Sequence, residues 1–373
     1  MPVLLAPDQA PTLKTLLEQS NGLGLKYRII PEQAAGLAVR GLGSLSGAGN
    51  TEISFLANPR LAAQLQSTQA AVVVMTPEAF EALPDDPAPG FAAVLCDAPY
   101  AMYAMLAQWF ESHRLQGLPT GVHPTAVIHP SARLEDGVSV GPFCIIEAGV
   151  RIGRGTRLGA HVVLGEGCSI GCDSLLHARV TLYHGVQVGD RAILHSGAVL
   201  GADGFGFAPA PDIPGAWVKI AQLGRVIVGD DVEIGANTTV DRGALDATRI
   251  GNGVKLDNQI MIGHNVEVGD HTAMAACVGV AGSTRIGARC TIGGAAMLSG
   301  HLTLGDDVHI SGGTAVTSNV ARPGRYTGVF PLASHRDWQK NAAVLAQLAG
   351  LRRRLRQLEA QQRDDAAPAD SNF

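Results

Sequence analysis

Aliphatic residues recur at every sixth position through most of this chain. From His123 it divides into HPTAVI HPSARL EDGVSV GPFCII EAGVRI GRGTRL and onward, and all 13 hexads ending at Ile128 through Leu200 close on Ile, Leu or Val. The register resumes as LGRVIV GDDVEI GANTTV and pauses for an insertion at Asp241 to Ile250. It then runs from GNGVKL to SGGTAV with an aliphatic or Met at each sixth place, Leu256 to Val316. A helix repeats near 3.6 residues and a simple strand at 2, so neither explains the period. A left-handed parallel β-helix does. Its coils have three short flat sides, one hexad per side, and the sixth side chain points inward onto its equivalents three hexads away. Glycine recurs just after that residue, at the corners, as at Gly153, Gly159, Gly165, Gly171 and Gly269. About 28 hexads make roughly nine coils, or ~40 Å of prism at the ~4.8 Å spacing of neighbouring strands.

The flanks break this rhythm. Residues 1–118 lack the hexad and read as a small α/β domain. Leu13–Gln19, Pro77–Leu83 and Pro99–Phe110 carry helix signals, the last two opening on Pro. Ile53–Leu56, Ala71–Met75 and Ala92–Cys96 are strand-like apolar runs. His113–His123, with Gly117, Pro119 and Gly121, reads as the linker into the prism at 119–321. Gly201–Gln222 is too irregular for the coil and is expected to protrude as a loop, the kind of segment that commonly lines sites. In 322–373 helical spacing returns: Val344, Leu348, Leu351, Leu355 and Leu358 step by 4, 3, 4 and 3, an a/d seam suited to a threefold helical bundle. Gly350 weakens that helix by about 1 kcal/mol relative to Ala, which makes a break there an option, and the last residues read as a disordered tail. The fold class expected is therefore mainly β: a left-handed β-helix with an N-terminal α/β domain and C-terminal helices.

Composition narrows the function classes. Hydrophobic residues make up 46% and charged residues only 16%, which excludes ordinary disorder, and the 46 glycines do not fall at every third position, which excludes collagen. No apolar run approaches the ~20 residues of a membrane-spanning helix, and Met1–Leu13 lacks the basic start and apolar stretch of a signal peptide. Six cysteines form no CxxC pair, so a reducing, cytoplasmic setting is expected. The net charge of −5 argues against bulk nucleic-acid binding, but it is unevenly spread. Between Arg322 and Arg363 nine Arg/Lys oppose two Asp/Glu, giving +7 there and −12 elsewhere. That basic segment reads either as a solvated coiled-coil face or as a docking patch for an acidic partner, centred on Arg352, Arg353, Arg354 and Arg356.

Three stretches carry a specific resemblance: GRVIVGDDVEIGANTTVDRGALDATRIGNGVKLDNQIMIGHNVEVGD and its continuation through Gly287, DGFGF at Asp203–Phe207, and SFLANP at Ser54–Pro59. The chain resembles the UDP-3-O-(3-hydroxyacyl)glucosamine N-acyltransferases of lipid A synthesis, within the hexapeptide-repeat acyltransferases. In that superfamily three prisms associate side by side, with active sites in the clefts between subunits. The resemblance implies a homotrimer that moves a 3-hydroxyacyl group from the phosphopantetheine of acyl carrier protein to the 2-amine of the UDP-sugar, with no metal and no other cofactor. It makes His264 the general base, Asp257 the carboxylate that orients its imidazole, and Gly282 the backbone N–H donor to the oxyanion. His301 would bind or polarise the thioester or phosphate side. Phe55 would stack on uracil, Asn58 would bond its edge, and Asn258 would contact substrate. Asp203, Phe205 and Phe207 would line the acyl or phosphopantetheine groove, and small Gly312, Gly313 and Ala315 would leave room for a long acyl tail.

The residues agree in part without the resemblance. An amine attacking a thioester must shed a proton near neutral pH, and histidine titrates in that range. Yet His264 is one of twelve histidines, and a stacked corner histidine is the commoner case. Gly282 stands three hexads after it, one full coil, and His301 stands one position beyond two full coils. Phe55 beside a turn Asn before Pro59 also reads as ordinary core, and Leu61 stands where the family often has Tyr. Rival readings on the same prism are a trimeric zinc carbonic anhydrase using His264, His271 and His301, a sugar-nucleotide acetyltransferase, the O-acyltransferase of the same pathway, and a structural solenoid. No metal-site motif supports the first, and the O-acyltransferase lacks this N-terminal domain.

Overall fold

The computed structural model describes residues 4–84 and 89–365, with side chains to residue 362. Two compact units divide between Pro119 and Thr120. The final residues, expected as a disordered tail, lie outside the described set.

The N-terminal unit is one mixed sheet with helices. Its strands β1 (Arg28–Ile30), β2 (Gly41–Leu42), β3 (Glu52–Phe55), β4 (Val72–Met75) and β5 (Ala92–Leu95) lie in the order β1-β5-β4-β3-β2. Only β1 runs antiparallel to its neighbour. The central strands read as continuous apolar runs because both faces are covered. On one face Val72, Val74 and Val94 meet Leu13, Leu16 and Leu17 of α1 (Leu13–Ser20) and Met102, Met105 and Leu106 of α3 (Pro99–Gln116). On the other, Val73, Met75, Ala93 and Leu95 meet Leu56, Leu65 and Phe91. Short α2 (Pro77–Glu81) opens on Thr76, whose hydroxyl accepts from Ala79 N–H at 3.2 Å. Helix α3 runs six residues beyond the expected end at Phe110, into the stretch read as linker. Glu111 and Arg114 pair one turn apart, Arg Nε to carboxylate at 2.7 Å, and nothing stops the helix before Gly117.

The second unit is the β-helix. Three parallel sheets of ten, nine and eleven strands form its faces, here A, B and C; the chain enters on C and then cycles A, B, C. Most rungs are two or three residues long, and the registers step by one coil, as in Ile146 opposite Leu164 opposite Leu182. The sixth-position aliphatics stack into one continuous core. A second inward row was not anticipated: the fourth position is buried too, and it is mostly small, as at Val150, Cys168, Ala192 and Thr238, though Ile260 is not. Two inward rows in a narrow prism leave room for one large and one small side chain per face. Where the small residue is polar, its hydroxyl reaches a corner carbonyl, as Thr238 Oγ1 donates to Asp257 O at 2.7 Å and Thr272 Oγ1 to Gly287 O at 2.8 Å. That satisfies a buried polar group locally.

Each corner has a fixed grammar. Its first residue is often Gly because the next coil passes close: a Cβ on Gly153 would lie 2.6 Å from the Gly171 carbonyl carbon. Its third residue takes positive φ, as at Asn265 (φ 60) and His301 (φ 59). The third-residue N–H donates to the second-residue carbonyl one coil below, as Gly185 to Glu166 at 2.9 Å, Ser283 to His264 at 2.9 Å and His301 to Gly282 at 3.0 Å.

Two insertions interrupt the corner between faces A and B. The first, expected as an irregular loop, is an ordered β-hairpin. Phe207–Pro209 pairs antiparallel with Trp217–Lys219, and Gly215 (φ 78) helps turn its tip. The second leaves the strand Thr239–Arg242 and rejoins face B at Thr248–Ile250. At the far end Gly324–Tyr326 adds a rung beyond the last hexad. Helices α4 (His335–Ala346) and α5 (Leu348–Asp365) follow, α4 capped by Ser334, whose hydroxyl accepts from Asp337 N–H. They break at Gln347, not at Gly350, which lies inside α5. The apolar seam of Leu348, Leu351, Leu355 and Leu358 is exposed along its length.

Candidate functional site

The corner between faces A and B stacks His264, Gly282 and His301 on three successive coils. Ser283 N–H bonds the His264 carbonyl and His301 N–H bonds the Gly282 carbonyl, so the backbone ladder itself fixes their alignment. Gly282 packs flat on the imidazole: a Cβ there would lie 2.7 Å from His264 Nε2. Gly204, at the root of the hairpin, also packs against it, where a Cβ would lie 2.7 Å from His264 Cβ. Among the described residues the Gly282 N–H has no acceptor.

His264 Nδ1 lies 3.1 Å from Asn265 Oδ1. The same oxygen accepts from Ala244 N–H at 2.9 Å, which fixes the amide so that oxygen, not nitrogen, faces the ring. An acceptor at Nδ1 selects the tautomer with its proton there and leaves the Nε2 lone pair free.

Asp257 does not orient His264 within the chain. Seven residues is one face plus one, so Asp257 stands before the strand Met261–Ile262 and His264 after it, at different corners. The Asp257 carboxylate accepts from Asn258 N–H at 2.8 Å and Ala276 N–H at 3.0 Å, and Asn258 Oδ1 accepts from Ala236 N–H at 2.7 Å. Both side chains brace the corner between faces C and A. They also line a groove of about 810 Å³, which holds neither His264 nor Gly282.

The carboxylate at the His264 corner is Asp241. Val240 pairs with Ile262 across adjacent rungs, so Asp241 and Arg242 lie one coil below Gly263 and His264. Burial pushes the Asp241 carboxyl up to about 6; the charge of nearby His264 opposes this and that of Asp203 adds to it.

The hairpin brings Asp203, Phe205 and Phe207 to the same corner through Gly204. Asp203 pairs with Lys219 at 2.7 Å, and that ammonium sits 5.5 Å from the Phe207 ring centroid. The Phe205 ring meets Phe207 edge-on at 5.0 Å and is 86% exposed, an apolar surface one residue beyond Gly204.

In the N-terminal unit Phe55 ends β3, but one face of its ring is already covered. Tyr103 stacks on it at 4.0 Å, and Tyr100, 66% exposed, lies 5.9 Å away. The free aromatic surface is thus shared by three rings. The two tyrosines sit three apart on the first turn of α3, a helical spacing legible in the sequence yet absent from the expected site. Asn58 caps the turn that follows, its Oδ1 accepting from Arg60 N–H at 3.1 Å. Leu61 is exposed. Arg352, Arg353, Arg354 and Arg356 all stand exposed on α5. No group of three or more His, Cys, Asp or Glu among the described residues could hold a metal, and no described helix is long and apolar enough to cross a membrane.

Comparison with known proteins gives one answer along the chain. The family described as UDP-3-O-(3-hydroxymyristoyl) glucosamine N-acyltransferase, LpxD, matches residues 37–109. Bacterial transferase hexapeptide repeats match 131–166 and 167–202, and succinyl-transferase hexapeptide repeats match 225–264 and 283–318. The UDP-3-O-acylglucosamine N-acyltransferase of Bordetella petrii is 66% identical over 96% of this chain and 100% of its own length. That of Delftia acidovorans is 48% identical over 86% of this chain and 89% of its own. Among solved structures, an Arabidopsis UDP-N-acetylglucosamine acyltransferase is 22% identical, covers 68% of this chain and 86% of its own, and superposes with a TM-score of 0.50, a likeness of fold.

Proposed function

The chain belongs to the UDP-3-O-acylglucosamine N-acyltransferases, and on that premise we propose that it transfers a 3-hydroxyacyl group from acyl carrier protein to the 2-amine of UDP-3-O-(3-hydroxyacyl)glucosamine. The product is UDP-2,3-diacylglucosamine, an intermediate of lipid A. The observation that carries the reaction is the stacked pair at one corner. His264 offers a free Nε2 against Gly282, whose N–H has no acceptor among the described residues. Base and oxyanion donor then stand together with no substrate contact needed to assemble them.

In this reading the amine nitrogen attacks the thioester carbonyl while Nε2 takes its proton, so the C–N bond forms as the carbonyl oxygen becomes an oxyanion. The Gly282 N–H donates to that oxygen. As the tetrahedral centre collapses, the C–S bond breaks and the imidazolium returns the proton to the leaving sulfur, releasing holo-carrier protein. Asn265 holds the tautomer that makes Nε2 the base. Asp241, ionised above its pKa of about 6, stabilises the imidazolium electrostatically. His301, one coil beyond Gly282, assists on the thioester or phosphate side. Phe205 and Phe207 receive the apolar acyl or pantetheine chain. Phe55, with Tyr100 and Tyr103 beside it, and Asn58 take the uracil. Carrier protein, which is acidic, docks on the exposed arginines of α5. The exposed seam of α5 joins three chains into a homotrimer. The chemistry calls for no metal or further cofactor, and the enzyme works in the cytoplasm.

The deciding assay follows acyl transfer from 3-hydroxyacyl carrier protein to the UDP-sugar, comparing wild type with His264→Ala. A loss of about 10²-fold or more is expected for removal of a general base. Full activity in the variant would remove His264 from that role. Wild-type transfer only to a sugar hydroxyl, or only of acetyl groups, would overturn the reading.

A further inference from the structure

Arg242 is the largest fully buried side chain among the described residues, 1% exposed, at the edge of a prism otherwise filled with aliphatic and small residues. Among the described residues it makes no ion pair. Its guanidinium is spent on neutral acceptors: Nε donates to Gly201 O at 2.8 Å, one terminal nitrogen to His184 O at 2.6 Å, and the other to His184 Nε2. Burying a cation without a carboxylate is costly, so the position asks what the charge does there.

The corner grammar supplies the reason. At most coils the second-residue carbonyl receives the third-residue N–H of the coil above. His184 is a second residue, and its partner would come one coil and one position later, at Asp203. That residue has left the coil as the hairpin's outgoing arm, so the rung is missing. Arg242 enters from the coil above the gap, crosses beneath Gly201 (φ 88), and donates to the His184 carbonyl in place of the lost N–H. Its backbone meanwhile pairs with Asp203, across a register shift that begins after Leu200. Side chain and backbone of one residue therefore hold both edges of the opening from which the hairpin leaves. The second insertion removes a rung two coils higher, where the Asn265 N–H turns instead to Thr248 Oγ1 at 2.8 Å.

We infer that Arg242 is a positioning residue for acyl transfer: its buried guanidinium replaces the rung that the hairpin removes, and so fixes the arm Asp203–Phe207 against His264. The inference rests on the acyl-transfer reading for its kinetic consequence, but not for its structural one. Only arginine offers donors in a rigid fork to three acceptors at once; lysine keeps the charge and loses the fork. The His184 ring accepts through Nε2 only when that nitrogen is unprotonated.

Hydrogen exchange on the full-length protein, read by mass spectrometry, tests this without any substrate. In Arg242→Lys and Arg242→Met, amides of residues 202–222 should exchange about tenfold faster or more, while the coils at 145–200 and 250–316 keep wild-type protection. In the same preparations kcat should fall about tenfold with KM for the UDP-sugar little changed, and Lys should not rescue. With residues 203–221 replaced by a short Gly-Ser link, Arg242→Lys should cost no further activity, because the arm it positions is gone. Unchanged exchange at 202–222 would overturn the inference, whatever the kinetics do. So would loss of protection throughout the prism, which would make Arg242 a general fold residue, and so would a full additional loss in the linked chain. If the wild type transfers no acyl group, the function falls while the exchange result still decides the role of Arg242.

Discussion

A single methyl group at Gly282 should disable the site without disturbing the fold. Built on the backbone, that methyl would lie 2.7 Å from His264 Nε2, 2.8 Å from Cε1 and 3.0 Å from Cδ2. Non-bonded carbon contacts settle at about 3.5–4.0 Å, so the ring must retreat by roughly 0.8 Å. It cannot do so for nothing: Gly204 backs it at Cβ and Cδ2, and the 3.1 Å bond to Asn265 Oδ1 breaks if it swings out. A displacement of about 1 Å in a catalytic group costs on the order of 10²-fold in rate, which is the loss in kcat expected for Gly282→Ala. The backbone there does not take positive φ, so alanine is conformationally allowed and the melting temperature should fall only slightly, by the cost of moving the ring. The assay is kcat at saturating donor and acceptor for Gly282→Ala, His264→Ala and the double variant. If the methyl acts through the imidazole, it adds less than about twofold once the imidazole is gone. Wild-type kcat in Gly282→Ala, or full additivity in the double variant, would refute the reasoning.

Asp241→Asn removes a carboxyl whose folded pKa, about 6, lies above its ordinary 3.8. Such a group favours the folded state below its unfolded pKa and loses that contribution as pH rises through 6; the variant should therefore melt higher than wild type at pH 8 but not at pH 4, with lower kcat at pH 8. Equal melting differences at both pH values would refute the burial argument. Asn265→Ala frees the imidazole Nδ1 and should cut kcat about tenfold, with nitrogen NMR showing a changed His264 tautomer; an unchanged tautomer would show that Asn265 does not set it. Reversing Arg352, Arg353, Arg354 and Arg356 to Glu should raise KM for acyl carrier protein about tenfold and flatten its salt dependence, leaving transfer from a small pantetheine thioester intact. A variant equally poor with both donors would place those arginines outside docking.

The hexad made the prism legible because one period satisfies one geometry, and the coil arithmetic placed Gly282 and His301 above His264 correctly. The same arithmetic failed for the carboxylate. Seven residues back from His264 is a different corner, whereas Asp241 lies back by one coil, the four-residue insertion and one position more. Carrying the insertion through the register finds it. Asn265 was visible in GHN, but its role depends on Ala244 holding the amide, a contact made across coils. The aromatic cover on Phe55 was hidden for the same reason, since β3 and α3 lie more than forty residues apart in sequence. Local signals also misjudged ends. Helix α3 outran its pattern until a glycine stopped it, and the C-terminal break came at Gln347, because one glycine costs a helix only about 1 kcal/mol.

A wall built from identical courses can be raised only by whole courses. Each coil of the β-helix lifts the chain by ~4.8 Å and returns it to the same corner. The gap from the His264 corner to the last rung at Gly324–Tyr326 is therefore fixed by counting, not by side-chain size. A single-residue deletion would move every later sixth-place aliphatic to the outward fifth place, while loss or gain of three whole hexads would leave each corner chemically intact and merely displaced. Descent in this scaffold should thus vary length in discrete, vernier-like steps between the chemistry and whatever α4 and α5 hold. The hairpin, which leaves the count unaltered, is where gradual change remains open.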